Sequence, residues 1–68
     1  MTLQQLHYFR VLAKVENYTK AAGILHIAQP SLSYSISQLE SELNIKLFER
    51  HGKKIKLSNP GELFLKYV

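Results

Sequence analysis

Gln29-Pro30-Ser31-Leu32-Ser33-Tyr34-Ser35-Ile36-Ser37-Gln38-Leu39-Glu40-Ser41-Glu42-Leu43 decides how this chain is read. Leu32, Ile36, Leu39 and Leu43 recur at i, i+4, i+7 and i+11, one apolar stripe at helical period. The other face carries Gln29, Ser31, Ser33, Tyr34, Ser37, Gln38 and Ser41, nearly all uncharged donors and acceptors. A solvated helix face is ordinarily rich in Lys and Glu. Short hydroxyls, amides and a Tyr suit the hydrogen-bonding edges of bases in a DNA major groove. On this stretch alone, a Ser-rich surface helix of no special purpose fits equally well. The flanking residues decide between the two.

Upstream, Leu3 to Val15 reads as a first helix, with Leu3, Leu6, Phe9 or Arg10, and Ala13 near one line and Leu12 beside them. Thr2 suits its N-cap and Gln5 the partner position of a capping box. Glu16-Asn17 breaks the pattern, and Asn17 caps a short second helix, Tyr18 to Leu25. There Tyr18, Ala21, Ala22 and Leu25 form an apolar face whose alanines let two helix axes approach closely. Gly23 falls on the outer side. His26-Ile27-Ala28 is then a three-residue link to the opening helix, with Ile27 at the corner. Two helices joined so briefly, the second with a polar face, make a helix-turn-helix, about 18–37. Pro30 belongs in the first turn, where its missing N–H is harmless. Neither Ala28 nor Gln29 is a favoured N-cap, so first-turn N–H groups are expected to stay free for a phosphate.

Downstream, Asn44 can take the left-handed conformation that ends a helix. Residues 46–57 then read as a short two-stranded hairpin, with a link over His51-Gly52-Lys53-Lys54 and alternation at Ile55-Lys56-Leu57. Such a hairpin is marginal alone, so Leu47, Phe48, Ile55 and Leu57 should anchor it, with the cations pointing out. Lys46, Arg50, Lys53, Lys54 and Lys56 place five of the nine cations within eleven residues, opposed there only by Glu49. That clustering is expected where phosphates are met. An innocent solvated basic hairpin is the alternative. Asn59-Pro60-Gly61-Glu62 starts a last helix, with Asn59 as cap and Pro60 in the first position. Leu63, Phe64, Leu65, Tyr67 and Val68 follow, and an apolar helix ending so soon reads as the front portion of a longer protein.

Composition bounds the rest. Sixty-eight residues make one small core; a chain this short buries only about 60% of its unfolded surface. With no Cys there is neither a disulfide framework nor a thiolate metal site. His7, His26 and His51 are scattered, Asp is absent and no Gly-x-Ser-x-Gly occurs, so nucleophile, base and oxyanion donors go unmet and an enzyme is not expected. No apolar run approaches membrane-spanning length, and the first residues lack a signal-peptide layout, so a cytoplasmic protein with no membrane partner is expected. The net charge of +4 agrees with a polyanionic partner without requiring one.

These residues, taken in order, resemble the N-terminal DNA-binding domain of the LysR-type bacterial transcriptional regulators. The resemblance rests on Leu6-His7-Tyr8-Phe9, Asn17-Tyr18-Thr19-Lys20-Ala21-Ala22, Leu25 through Ser33, Ile36, Leu39-Glu40, Leu43 and Leu47-Phe48-Glu49-Arg50. The chain departs from it at Ala28, where Ser or Thr is common, at Tyr34, where longer polar or basic side chains are frequent and the family varies in sequence preference, at Asn44 in place of Gly, and at Ser58-Asn59-Pro60-Gly61. The resemblance implies a mainly α winged helix-turn-helix: a three-helix core, a short β-hairpin wing and the start of a fourth linker helix. Residues 1–58 would be the DNA-binding domain and 59–68 the start of the linker. It implies a homo-oligomer formed through that helix, for which Leu63, Phe64 and Tyr67 are the candidate contacts. It also implies no cofactor in this segment, a small-molecule effector bound by a separate C-terminal domain, and double-stranded promoter DNA as partner.

The resemblance also distributes roles. Gln29, Pro30, Ser31, Ser33 and Tyr34 would face the major groove, with Ser37 and Gln38 nearer its edge. Thr19 and Lys20 would meet backbone phosphate, Arg50 would clamp another with its fork, and Lys53, Lys54 and Lys56 would belong to a wing on the minor groove or flanking backbone. A winged-helix module that binds RNA or protein is the remaining rival, since a fold alone does not choose among them.

Overall fold

The computed structural model describes residues 1–52 and 54–68; Lys53, assigned to the wing above, lies outside the described residues. The order of elements is α1 (Leu3–Val15), α2 (Tyr18–Leu25), α3 (Gln29–Leu43), β1 (Phe48–His51), β2 (Lys54–Leu57) and α4 (Asn59–Tyr67). The mainly α fold, three helices packed pairwise with one antiparallel hairpin and a further helix, is the expected one.

Local chemistry sets the first two helix starts as the residues suggest. Thr2 and Gln5 form the reciprocal capping box at 3.0 Å in each direction. Asn17 accepts the Lys20 N–H at 2.9 Å. Helices α1, α2 and α3 each end on a left-handed residue, Glu16, His26 and Asn44, with φ of 55°, 59° and 58°. Only Asn44 is readable as such from its side chain; the other two are held by cap bonds back to Leu12 and Ala22.

The buried core is Phe9, Leu12, Ala21, Ala22, Leu32, Ile36, Leu39, Leu47 and Ile55. Leu32, Ile36 and Leu39 of α3 are all within 1% of complete burial, and Leu43 packs at the rim. The phase of α1 differs from the expectation. Phe9 and Leu12 are fully buried as expected, but Leu3 is 83% exposed, and Tyr8, Val11 and Val15 pack against the core where Leu3, Leu6 and Ala13 were expected. This helix is apolar on several sides, so two stripes fit its pattern and only packing against α2 and α3 selects one.

Two further corrections concern the C-terminal third. The hairpin pairs Phe48 with Leu57, Glu49 with Lys56, Arg50 with Ile55 and His51 with Lys54, so His51 and Lys54 belong to strands rather than to the link. The N-cap of α4 is Ser58, not Asn59. The Ser58 hydroxyl donates to the Lys46 carbonyl while accepting the Gly61 N–H at 3.0 Å, and the Ser58 N–H donates to the Leu47 carbonyl at 2.9 Å. Ser58 is therefore buried, at 4% exposure, and stitches the start of α4 to the chain entering the wing. Gly61 completes that junction: a Cβ there would lie 2.1 Å from the Leu47 carbonyl oxygen.

Candidate nucleic-acid interface

Helix α3 divides its polar residues into two sets. At 100° per residue, Pro30, Tyr34, Ser37 and Gln38 point away from the Leu32–Ile36–Leu39 stripe, and all four are exposed, as is Ser31. Gln29 and Ser33 lie on the flank that faces the wing and are half-buried. Each set contains one side-chain hydrogen bond one turn apart. Gln29 Nε2 donates to Ser33 Oγ at 2.8 Å, and Gln38 Nε2 donates to the Tyr34 hydroxyl at 2.8 Å.

The first turn of α3 is less open than the missing cap suggested. Ala28 supplies no side-chain bond, but its carbonyl accepts from Ser31 at 3.0 Å and from Leu32 at 3.2 Å. Pro30 has no N–H. Among the described residues that leaves the Gln29 N–H as the free first-turn donor, not several.

Thr19 and Lys20 are exposed in the first turn of α2. A cleft of about 250 Å³ opens beside Thr19, lined by Glu16, Asn17, Tyr18, Thr19, Gln29, Arg50 and Ile55. Residues far apart in sequence thus converge: Thr19 from α2, Gln29 from α3 and Arg50 from the wing. The hairpin register explains Arg50. Side chains alternate across a strand, so Arg50 shares the inner face with Phe48, Ile55 and Leu57. It does not splay outward with the lysines. Lys54 and Lys56 lie exposed on the outer face with Glu49 and His51.

Glu40 is the residue whose role the sequence did not reveal. Its carboxylate accepts the Leu47 N–H at 2.7 Å and the Phe48 N–H at 3.4 Å, and its side chain is only 13% exposed. Lys46 Nζ stands 4.0 Å from the other oxygen, but that ammonium is exposed and the pair contributes little. The available signal was position: Glu40 follows Ile36 by one turn and flanks the buried stripe, where an acid needs partners. Tyr18 is close enough to sense this acid. Burial pushes its phenol above the ordinary value, Glu40 adds to the rise, and Arg50 opposes it.

On α4, Leu63 and Tyr67 are 56% and 80% exposed. Phe64 turns inward and packs edge-on against Phe9, ring centroids 5.2 Å apart, while Phe48 meets Phe9 from the wing side at 5.6 Å. Among the described residues no group of His, Cys, Asp or Glu could hold a metal ion. Among the same described residues no helix is long and apolar enough to cross a membrane.

Two packed helices with a three-residue turn, a third beneath them and a basic hairpin at the side define a winged helix-turn-helix. Residues 3–62 match the family model described as the bacterial regulatory helix-turn-helix protein, lysR family, and the chain belongs to that family, one of transcriptional regulators rather than of enzymes. It is 47% identical over 68 residues to the HTH-type transcriptional regulator YybE of Bacillus subtilis, covering 100% of this chain and 23% of that protein. Among solved structures it is similar to the BenM DBD in complex with benA site 1 DNA, with TM-score 0.93 and 43% identity over 98% of this chain and 75% of that one. The CbnR DBD–DNA complex is similar at TM-score 0.93 and 36% identity, covering 98% of this chain and 77% of that one. The chain spans less than a quarter of the length of the curated relative, and three-quarters or more of these two DNA-bound domains.

Proposed function

We propose that this chain reads double-stranded promoter DNA, with α3 in the major groove and the hairpin on the minor groove or flanking backbone. The observation that carries this reading is the exposed, uncharged donor–acceptor face of α3, with Thr19 and Arg50 brought to Gln29 at its start, in a fold that also exposes Lys20, Lys54 and Lys56. Pro30, Ser31, Tyr34, Ser37 and Gln38 contact bases or their methyl groups, and Ser33 and Gln29 approach from the flank. Thr19, Lys20 and Arg50 bind phosphate around the cleft, and the wing lysines add backbone contacts that carry no sequence information. The Gln29 N–H, at the positive end of α3, adds one further phosphate donor.

The whole protein is then a cytoplasmic transcriptional regulator that acts as a homo-oligomer. Leu63 and Tyr67 supply contacts between copies, with Phe64 bracing α4 from within. A small-molecule effector is recognised outside these residues, which need no cofactor of their own. A mobility shift on duplex DNA and on double-stranded RNA, each at two salt concentrations, tests the reading. Retention of sequence-selected duplex DNA over RNA is the expected result. Equal binding of both, or of neither, overturns it in favour of an RNA or protein module on the same fold.

A further inference from the structure

The Tyr34–Gln38 pair stands apart from the rest of the polar face. Its members are one helical turn apart at the centre of the outward side, and the Tyr34 ring is 65% exposed with no packing against the core cluster. Gln38 Nε2 donates to the Tyr34 oxygen at 2.8 Å. That bond occupies a phenolic lone pair and one of the two amide hydrogens, and leaves the Tyr34 O–H, the Gln38 Oε1 and the second Gln38 Nε2–H unused. The Tyr34 O–H is free to donate, and the Gln38 Oε1 is free to accept. Turning the amide over exchanges the assignments, yet the pair still presents donor and acceptor side by side. Neither side chain is charged, and no acid or base on α3 sits between them. The bond also holds two long side chains in one geometry before any ligand arrives, which lowers the ordering cost of binding.

We infer that Tyr34 and Gln38 act as one two-pronged reader of an adenine in the major groove, with the Tyr34 O–H on N7 and the Gln38 Oε1 on the N6 amine. This rests on the reading of α3 as the base-reading helix and names what its centre recognises. In the major groove adenine presents one acceptor and one donor side by side. Guanine presents two acceptors, N7 and O6, so the Gln38 oxygen would face an oxygen. Cytosine presents only its amine, and thymine an acceptor beside a methyl group. Adenine answers the Tyr34 O–H and the Gln38 Oε1 together from one base, whereas guanine would have to be met by the second Gln38 Nε2–H in place of the oxygen. The flanking pair, Gln29 with Ser33, is half-buried at the side of α3 and reaches a different base position from the one before Tyr34 and Gln38.

The test is in vitro selection of duplexes by the chain, followed by titrations on the selected site. The expected result is one position with adenine strongly preferred, which Tyr34→Phe and Gln38→Ala each relax while the other positions keep their preferences. Replacing that adenine by 7-deazaadenine, or by purine without the N6 amine, weakens binding by roughly 5- to 150-fold, the range of a good base contact. The deaza substitution adds no further loss in Tyr34→Phe, and the purine substitution none in Gln38→Ala. Guanine preference at the relaxed position, relaxation of two different positions by the two variants, or additive losses with the base analogues overturns the inference while leaving duplex recognition intact. Failure to select any duplex overturns the proposed function itself. Both variants change exposed side chains, so their melting temperatures are expected to stay with the parent's, which separates a lost contact from a lost fold.

Discussion

Glu40 and Leu47 are joined by a 2.7 Å hydrogen bond from the Leu47 backbone to the Glu40 carboxylate, and this bond sets where the wing leaves the helical core. Leu47 is fully buried, so its N–H has no water to turn to. Removing the acceptor leaves a buried donor unpaired, at about 1–3 kcal/mol. Glu40→Ala is therefore expected to lower unfolding stability by that amount in a urea titration, with Glu40→Gln losing less because an amide oxygen can still accept. An Ala variant with the parent's midpoint would place the Leu47 N–H in other hands.

The glycines at 23 and 61 should respond in opposite directions. A Cβ on Gly23 meets nothing within 4 Å, and the residue lies in a helix interior, where alanine is favoured by about 1 kcal/mol. Gly23→Ala should raise the melting temperature. A Cβ on Gly61 would lie 2.1 Å from the Leu47 carbonyl oxygen, a backbone atom that Ser58 also holds. Gly61→Ala should destabilise and loosen the wing together with α4. Calorimetry of the two variants checks the contrast.

Ala28→Ser tests the first turn of α3. A serine at an uncapped position ordinarily adds about 0.5–2 kcal/mol. Here Pro30 offers no N–H, and the Ser31 N–H already bonds the Ala28 carbonyl at 3.0 Å. The gain should fall at the low end of that range, read as a small rise in thermal midpoint. A gain at the upper end would mean that the existing bond to the carbonyl contributes almost nothing.

The residues alone carry different distances in different parts of the fold. The α3 stripe and the Asn17 cap are local patterns, and local patterns are readable because a helix repeats its own geometry. The phase of α1 was readable only at Phe9 and Leu12, because Leu3, Leu6 and Ala13 extend that pair into as good a stripe as Tyr8, Val11 and Val15 do until a partner helix is present. The Ser58 cap was missed because Asn59 competes with it locally and only the distant Lys46 and Leu47 carbonyls decide for the serine. In the candidate interface, the residue types were readable from chemistry and resemblance. The inward turn of Arg50 was not: it depends on the pairing of Arg50 with Ile55, and a one-residue slip would send it to the opposite face.

Tyr18 predicts an alkaline limb. Its phenol is raised above 10.0 in the folded state, chiefly by burial and then by Glu40, against a smaller opposing effect of Arg50. A group whose folded value is raised holds its proton more tightly when folded. Its contribution is fully present below the unfolded value and is lost as pH rises through the folded one. Stability should therefore fall above pH 10 more steeply in the parent than in Tyr18→Phe, which has no proton to lose there. Urea midpoints measured from pH 8 upward check the difference between the two slopes.

Lys54 and Ser33 separate positioning from reading. Lys54 is exposed on the outer face of the hairpin, opposite His51 and away from the helices. A cation so placed reaches a phosphate and no base, so its removal releases about one fewer counterion on binding. Lys54→Ala should weaken every duplex alike and reduce the salt slope by about one. Ser33 lies on the flank of α3, its oxygen already accepting from Gln29 at 2.8 Å, so its remaining O–H is a directed donor. Ser33→Ala should leave the salt slope unchanged and lose about 1–3 kcal/mol of discrimination at one base position. Titrations of selected and scrambled duplexes at three salt concentrations measure both quantities for each variant. If Lys54→Ala altered sequence preference at constant slope, the wing would be reading bases, and the division of labour between hairpin and helix would have to be reversed.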